Sequence, residues 1–130
     1  MTVGILLVTH EGIGTALAAV ATTLLRTLPL RVEVFEVPFE GDPDALLPQA
    51  SAALRRADGG DGVLVLTDLY GATPSNLAAR LARLGTPVRR ISALSLPMLL
   101  RVLNYPELPL DDLPAVAAAG ARNGVLHDDA

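Results

Sequence analysis

Residues 3–14 read VGILLVTHEGIG, and the change of character within this stretch decides the fold. Val3 to Thr9 is a nearly continuous apolar run of strand length, the signature of a strand buried on both faces of a parallel sheet. It gives way to His10, to glycines at 12 and 14, and to helical periodicity from Ile13. A second run of the same kind, Gly62–Thr67, gives way to Asp68. Two further runs, Val32–Val37 and Val88–Leu94, carry more polar residues and suit the flanks of the same sheet.

Helical spacing fills the intervals. Ile13, Ala16, Leu17, Val20 and Leu24 recur at three- and four-residue steps and mark one apolar helix face. Leu46, Leu47, Ala50 and Leu54 repeat the pattern behind Asp42-Pro43-Asp44, an N-cap, a first-turn proline and a first-turn acid. Leu77, Leu81 and Leu84 mark a third helix, and Leu110, Leu113 and Val116 a fourth. Gly59-Gly60, Gly85 and Gly120 stand where helices are expected to stop. Leu96–Asn104 suggests a helix with Pro97 in its first turn, and the tail Asn123–His127 could form a short last strand. Strand and helix in alternation predict an α/β fold: a doubly wound, mostly parallel four-stranded sheet with helices on both faces and right-handed crossovers.

Composition narrows the chemistry. The 130 residues, 51 % hydrophobic and 18 % charged, suffice for one domain with a real core. A formal net charge of −4 offers no basic field for a phosphate backbone, which argues against nucleic acid as a partner. There is no cysteine, so thiol catalysis and cysteine-ligated zinc are excluded. All ten basic residues are arginine, which removes Schiff-base and P-loop lysine chemistry. No run approaches the ~20 apolar residues of a membrane helix. A cytoplasmic protein without direct membrane insertion is expected.

In an open parallel sheet, ligands bind beyond the carboxyl ends of the strands, at the topological switch point. THEGIG (9–14) and TDLYGATPSN (67–76) are the two loops that leave such ends with unusual chemistry. Taken alone, His10 reads either as a polar turn residue or as a reagent, and Asp68 either as a local cap or as its partner. If the first and third strands are neighbours, the two emerge side by side. A carboxylate on one imidazole nitrogen then fixes the tautomer and leaves the other nitrogen free as a nucleophile. Thr73 and Pro74 read as N-cap and first residue of the third helix, whose unpaired N–H groups form an anion receptor. Other chemistries lack support here. There is no GxSxG elbow, no ligand cluster accompanies His10, and Gly12-Ile13-Gly14 is only a fragment of a dinucleotide fingerprint.

Three motifs in order, strand-Thr-His-Glu-Gly, LVLTDLYGATPSN and LSLPMLL, together resemble one family across essentially the whole chain. It is the enzyme IIA component, mannose family (mannose/fructose/sorbose type), of the bacterial phosphoenolpyruvate-dependent sugar phosphotransferase system. The resemblance implies a single IIA domain over 1–130 and a phosphohistidine relay in sugar uptake or a regulatory branch. His10 would accept the phosphoryl group from the histidine-containing phosphocarrier protein and pass it to a separate IIB protein. Nε2 would attack phosphorus while Asp68 accepts the Nδ1 proton. Gly71, Ala72 and Thr73 would cradle the phosphoryl group; Thr9, Leu96, Pro97 and Met98 would line the site; and Gly12 and Gly14 would leave room for the partner's histidine. No metal or cofactor is called for.

The family is usually a homodimer that exchanges a C-terminal strand, which would employ Val125–His127. The chain departs from the family pattern at Gly71-Ala72-Thr73, where two glycines and a serine are common. It departs again at Ser75, often a bulky aromatic, and at Ser95, commonly asparagine. A regulatory module, whose His10 phosphorylation controls a partner without onward transfer, is the alternative reading.

Overall fold

The computed structural model describes residues 2–128. The chain alternates β1 (Gly4–His10), α1 (Ile13–Leu25), β2 (Val32–Val37), α2 (Pro43–Ala57), β3 (Val63–Thr67), α3 (Thr73–Leu81), β4 (Val88–Ile91), α4 (Leu96–Leu103), a short 3₁₀ turn at Leu110–Asp112, and α5 (Leu113–Asn123). The four strands form one parallel sheet in the order β2-β1-β3-β4. The apolar runs of β1 and β3 are central because they can be buried on both faces, and the two more polar strands take the edges.

Alternation along the central strands divides the core in two. Ile5 and Leu7 of β1 join Leu64 and Leu66 of β3 in a cluster with Ala21 of α1, Met98, Leu99, Val102 and Leu103 of α4, and Leu113 and Ala117 of α5. Leu6, Val8, Val63 and Val65 face the other way, onto Ala50, Ala53 and Leu54 of α2 and Leu77, Ala78 and Leu81 of α3. Each fully buried aliphatic side chain of this kind contributes about 1.5–3 kcal/mol relative to exposure. The rigid consequence is functional: the chain reverses its winding direction between β1 and β3, so His10 and Asp68 leave adjacent strands at the switch point.

Several elements depart from the reading of the sequence. In α1 the inward residues are Gly14 and Ala21, with Leu17, Ala18 and Leu25 partly buried, whereas Ile13, Val20 and Leu24 are exposed. The helix is apolar nearly all round, so spacing alone could not phase it. Close approach does: a Cβ on Gly14 would sit 2.8 Å from Val34 Cγ1 and 3.0 Å from Thr9 Oγ1. Strand β4 stops at Ile91 rather than Leu94 because Ala93 adopts a left-handed conformation, φ +67°, and turns the chain. α3 ends at Leu81, leaving Leu84 beyond it and exposed. Gly120 ends no helix; it lies inside α5, where a Cβ would meet Arg101 Cβ at 2.5 Å, and so it permits the α4–α5 contact. Val125–His127 form no strand in this chain, and Val125 and Leu126 project into solvent after α5.

Candidate functional site

Asp68 and His10 meet through a double contact. Asp68 Oδ2 accepts the backbone N–H of His10 at 2.9 Å and lies 2.8 Å from His10 Nδ1. A carboxylate oxygen only accepts, so the ring proton resides on Nδ1 and the Nε2 lone pair is free. Nε2 makes no hydrogen bond to any described residue, and the His10 side chain keeps 23 % of its surface exposed. Asp68 is much more enclosed, and its second oxygen, Oδ1, is buried without a partner among the described residues. Register explains the encounter: Val8 pairs with Thr67, so each chain leaves its strand within a residue of the other.

Below the histidine, Thr9 is fully buried. Its hydroxyl donates to the His10 carbonyl at 2.8 Å and accepts the Gly14 N–H at 2.9 Å. One side chain therefore ties the end of β1 to the start of α1. Glu36 Oε2, on the neighbouring edge strand, accepts the Thr15 N–H at 2.9 Å. Hydrogen bonds from the Thr15 and Gly12 backbone N–H groups hold the Glu36 carboxyl below its ordinary range. The N-terminus of α1 is thus filled by the protein's own oxygens.

The start of α3 is different. Ala72, not Thr73, is the N-cap, and no side chain caps the helix. Gly71 reaches it with φ +86°, a conformation that glycine adopts without strain. The Ala72 N–H is taken by Leu69 O at 3.3 Å, closing a turn, so Ala72 cannot offer its amide to a ligand. Pro74 has no N–H. Thr73 and Ser75 are left, and their amides have no acceptor among the described residues. With the Thr73 hydroxyl they make a small, uncapped, electropositive end. The sequence marked Ser75 only as a departure from the family pattern, yet its place as the third helical residue, after a proline, also marks its amide as unpaired.

The remaining residues expected at the site fall into two groups. Leu96 is partly buried against the core formed with α1, α4 and α5. Met98 is 1 % exposed within that core, and Pro97 packs against α5, where a Cβ on Gly124 would meet its ring at 2.6 Å. Gly14 is likewise closed by Val34 and Thr9 and offers no room to a visitor, whereas Gly12 faces open space.

Phe39, which carries no local sequence signal, stacks on the His10 ring with centroids 5.5 Å apart and planes 25° apart. Leu69 and Tyr70 follow Asp68 and are also exposed, so the loop that carries the histidine's partner presents apolar side chains to solvent. A groove of about 550 Å³ runs along β4 past the α3 start, lined by Tyr70, Ser75, Arg89, Arg90 and Ser92 among others. No helix among the described residues is long and apolar enough to cross a membrane.

Comparison with solved structures matches this architecture to several proteins. The chain superposes on the mannose/sorbose-specific IIA subunit of the phosphotransferase system from Enterococcus faecalis with a TM-score of 0.86 and 24 % identity, covering 100 % of this chain and 97 % of that one. For the phosphotransferase system component EIIA from Streptococcus agalactiae the values are 0.81 and 19 %, covering 96 % of each chain. A sigma-54 interaction domain protein from Enterococcus faecalis gives 0.77 and 16 %, covering 94 % and 92 %. At these identities the likeness is one of fold. A comparison with curated proteins gave no match. The family model for the fructose IIA component of the phosphotransferase system matches residues 4–109, a span that holds His10, Asp68 and the start of α3. On that match, this chain belongs to the EIIA-man family of phosphotransferase-system IIA components.

Proposed function

We propose that this protein is a phosphoryl carrier that accepts the group on His10 from the histidine-containing phosphocarrier protein and delivers it to a separate IIB protein. The observation that carries the reading is the 2.8 Å contact between His10 Nδ1 and Asp68 Oδ2, which leaves Nε2 as the free nucleophile. In the forward step the Nε2 lone pair forms the new P–N bond as the donor's P–N bond breaks. The bonding pair returns to the donor nitrogen. The proton stays on Nδ1, where Asp68 balances the positive charge that develops on the ring. The Thr73 and Ser75 amides and the Thr73 hydroxyl bind the equatorial oxygens. Onward transfer repeats the displacement at the acceptor's nucleophile, with no net gain or loss of water.

The exposed apolar surroundings of His10, Phe39, Leu69 and Tyr70 suit a protein donor better than a small polar one. A carrier of this kind works in the cytoplasm, and exposure of Val125 and Leu126 supports a homodimer in which the tail packs on a second copy. The test is incubation with phosphoenolpyruvate, enzyme I and the phosphocarrier, read by intact mass. One acid-labile, alkali-stable phosphate is expected, absent in His10→Ala and discharged on adding a cognate IIB protein. Stoichiometric labelling that survives His10→Ala would overturn the site. Label that no IIB protein removes would favour the regulatory alternative.

A further inference from the structure

Phe39 lies in the turn after β2, where the Gly41 N–H bonds the Pro38 carbonyl at 2.9 Å. The residue is 77 % exposed, an uncommon setting for a phenylalanine, and its ring contact is the face of His10. The turn is held in place from the histidine's own loop: Glu11, next to His10, accepts the Phe39 backbone N–H at 3.3 Å. The imidazole is therefore constrained from two directions. Asp68 fixes its Nδ1 edge, and Phe39 lies on its face, at an offset stacked distance.

An edge contact alone lets the ring tilt about the Nδ1–Oδ2 line, which swings Nε2 out of line with an incoming phosphorus. A face contact removes that freedom. The same π face also favours the cationic ring formed when Nε2 carries phosphoryl and Nδ1 keeps its proton.

We infer that Phe39 is a positioning residue for His10, holding the imidazole plane so that Nε2 meets phosphorus in line, with Glu11 latching the Phe39 turn in place. The inference rests on the phosphoryl-carrier reading, and its test separates the two. Phe39→Leu keeps an apolar side chain but loses the π face; Phe39→Tyr keeps it. The first readout needs no phosphorylation: the His10 ring protons in wild type resonate upfield of their positions in Phe39→Leu, through the ring current of Phe39, and Phe39→Tyr restores them. The second is phosphoryl acceptance from the phosphocarrier. Phe39→Leu should lower kcat about three- to tenfold with KM unchanged, and Phe39→Tyr should recover it.

A loss confined to KM would make Phe39 a docking residue and overturn the inference. So would unaltered His10 resonances in Phe39→Leu, or a kcat equal to wild type. If wild type takes no phosphoryl group while the ring-current shift is present, the carrier reading fails and the stacking geometry stands. Glu11→Ala should weaken the shift in the same direction as Phe39→Leu; an undiminished shift would remove Glu11 from the account.

Discussion

The two helices that follow the strands ending at His10 and Asp68 are treated in opposite ways. At α1, Thr9 and Glu36 accept the Gly14 and Thr15 amides, so the partial positive charge of that terminus is spent inside the protein. At α3, the cap is an alanine, one amide is taken by a turn, and the Thr73 and Ser75 amides are left unpaired among the described residues. Both termini lie at the switch point, and a phosphoryl group could be drawn to either. The fold settles the competition by placing its own carboxylate at one. The lesson is that helix N-termini near a site are equivalent receptors only until their internal acceptors are counted.

The largest effect should come from the residue that holds the histidine itself. Asp68→Asn removes the charge opposite Nδ1 and should slow phosphoryl acceptance about ten- to a hundredfold, the usual cost of losing a carboxylate behind a working histidine, with the thermal midpoint nearly unchanged. Stopped-flow transfer rates beside a melting curve check this, and a normal rate would reduce Asp68 to a backbone anchor. Thr9→Val comes next: it is nearly isosteric but leaves the buried Gly14 amide without its acceptor, at a cost of about 1–3 kcal/mol by denaturant unfolding. If α3 is the receptor, Thr73→Val should behave in the reverse manner. It should lower the transfer rate about three- to tenfold, the worth of one modest hydrogen bond, and leave stability alone. A stability loss without a rate loss would exchange the roles assigned to the two helices.

Glu36→Gln should have the smallest effect, about 0.3–1 kcal/mol at neutral pH, as for a charge at an exposed helix end. Its sign is fixed by the lowered folded-state pKa of Glu36. The carboxylate's contribution is fully present above the unfolded-state value and is lost as pH falls through the depressed folded value. Wild type and variant should therefore differ at pH 7 and converge in acid. A gap that widens on acidification would contradict the cap.

Much of this arrangement was legible in the sequence. The apolar runs of β1 and β3 are nearly undiluted because both faces are covered, and the same saturation made His10 and Asp68 visible as the points where they end. In helix α1 the spacing of Ile13, Ala16, Leu17, Val20 and Leu24 looks like an inward face, yet of these only Leu17 reaches the core, and the inward side otherwise carries Gly14, Ala18, Ala21 and Leu25. Small residues at four- and three-residue steps mark a helix lying close to a sheet, and that was the available signal. The family motif places Pro97 and Met98 beside the site, and in the fold Pro97 packs on the end of α5 and Met98 lies in the core. Phe39 could not be read from its neighbours at all. Its role depends on a contact between two turns that only the β1–β2 pairing brings together.

The central claim is that Asp68 fixes the tautomer and so selects the nitrogen that carries phosphorus. Long-range proton–nitrogen correlation spectra of the ring-labelled, phosphorylated protein test it directly. Phosphorus bonded to His10 Nε2, with the proton on Nδ1, is the expected result. Phosphorus on Nδ1, or on any other residue, would contradict the account.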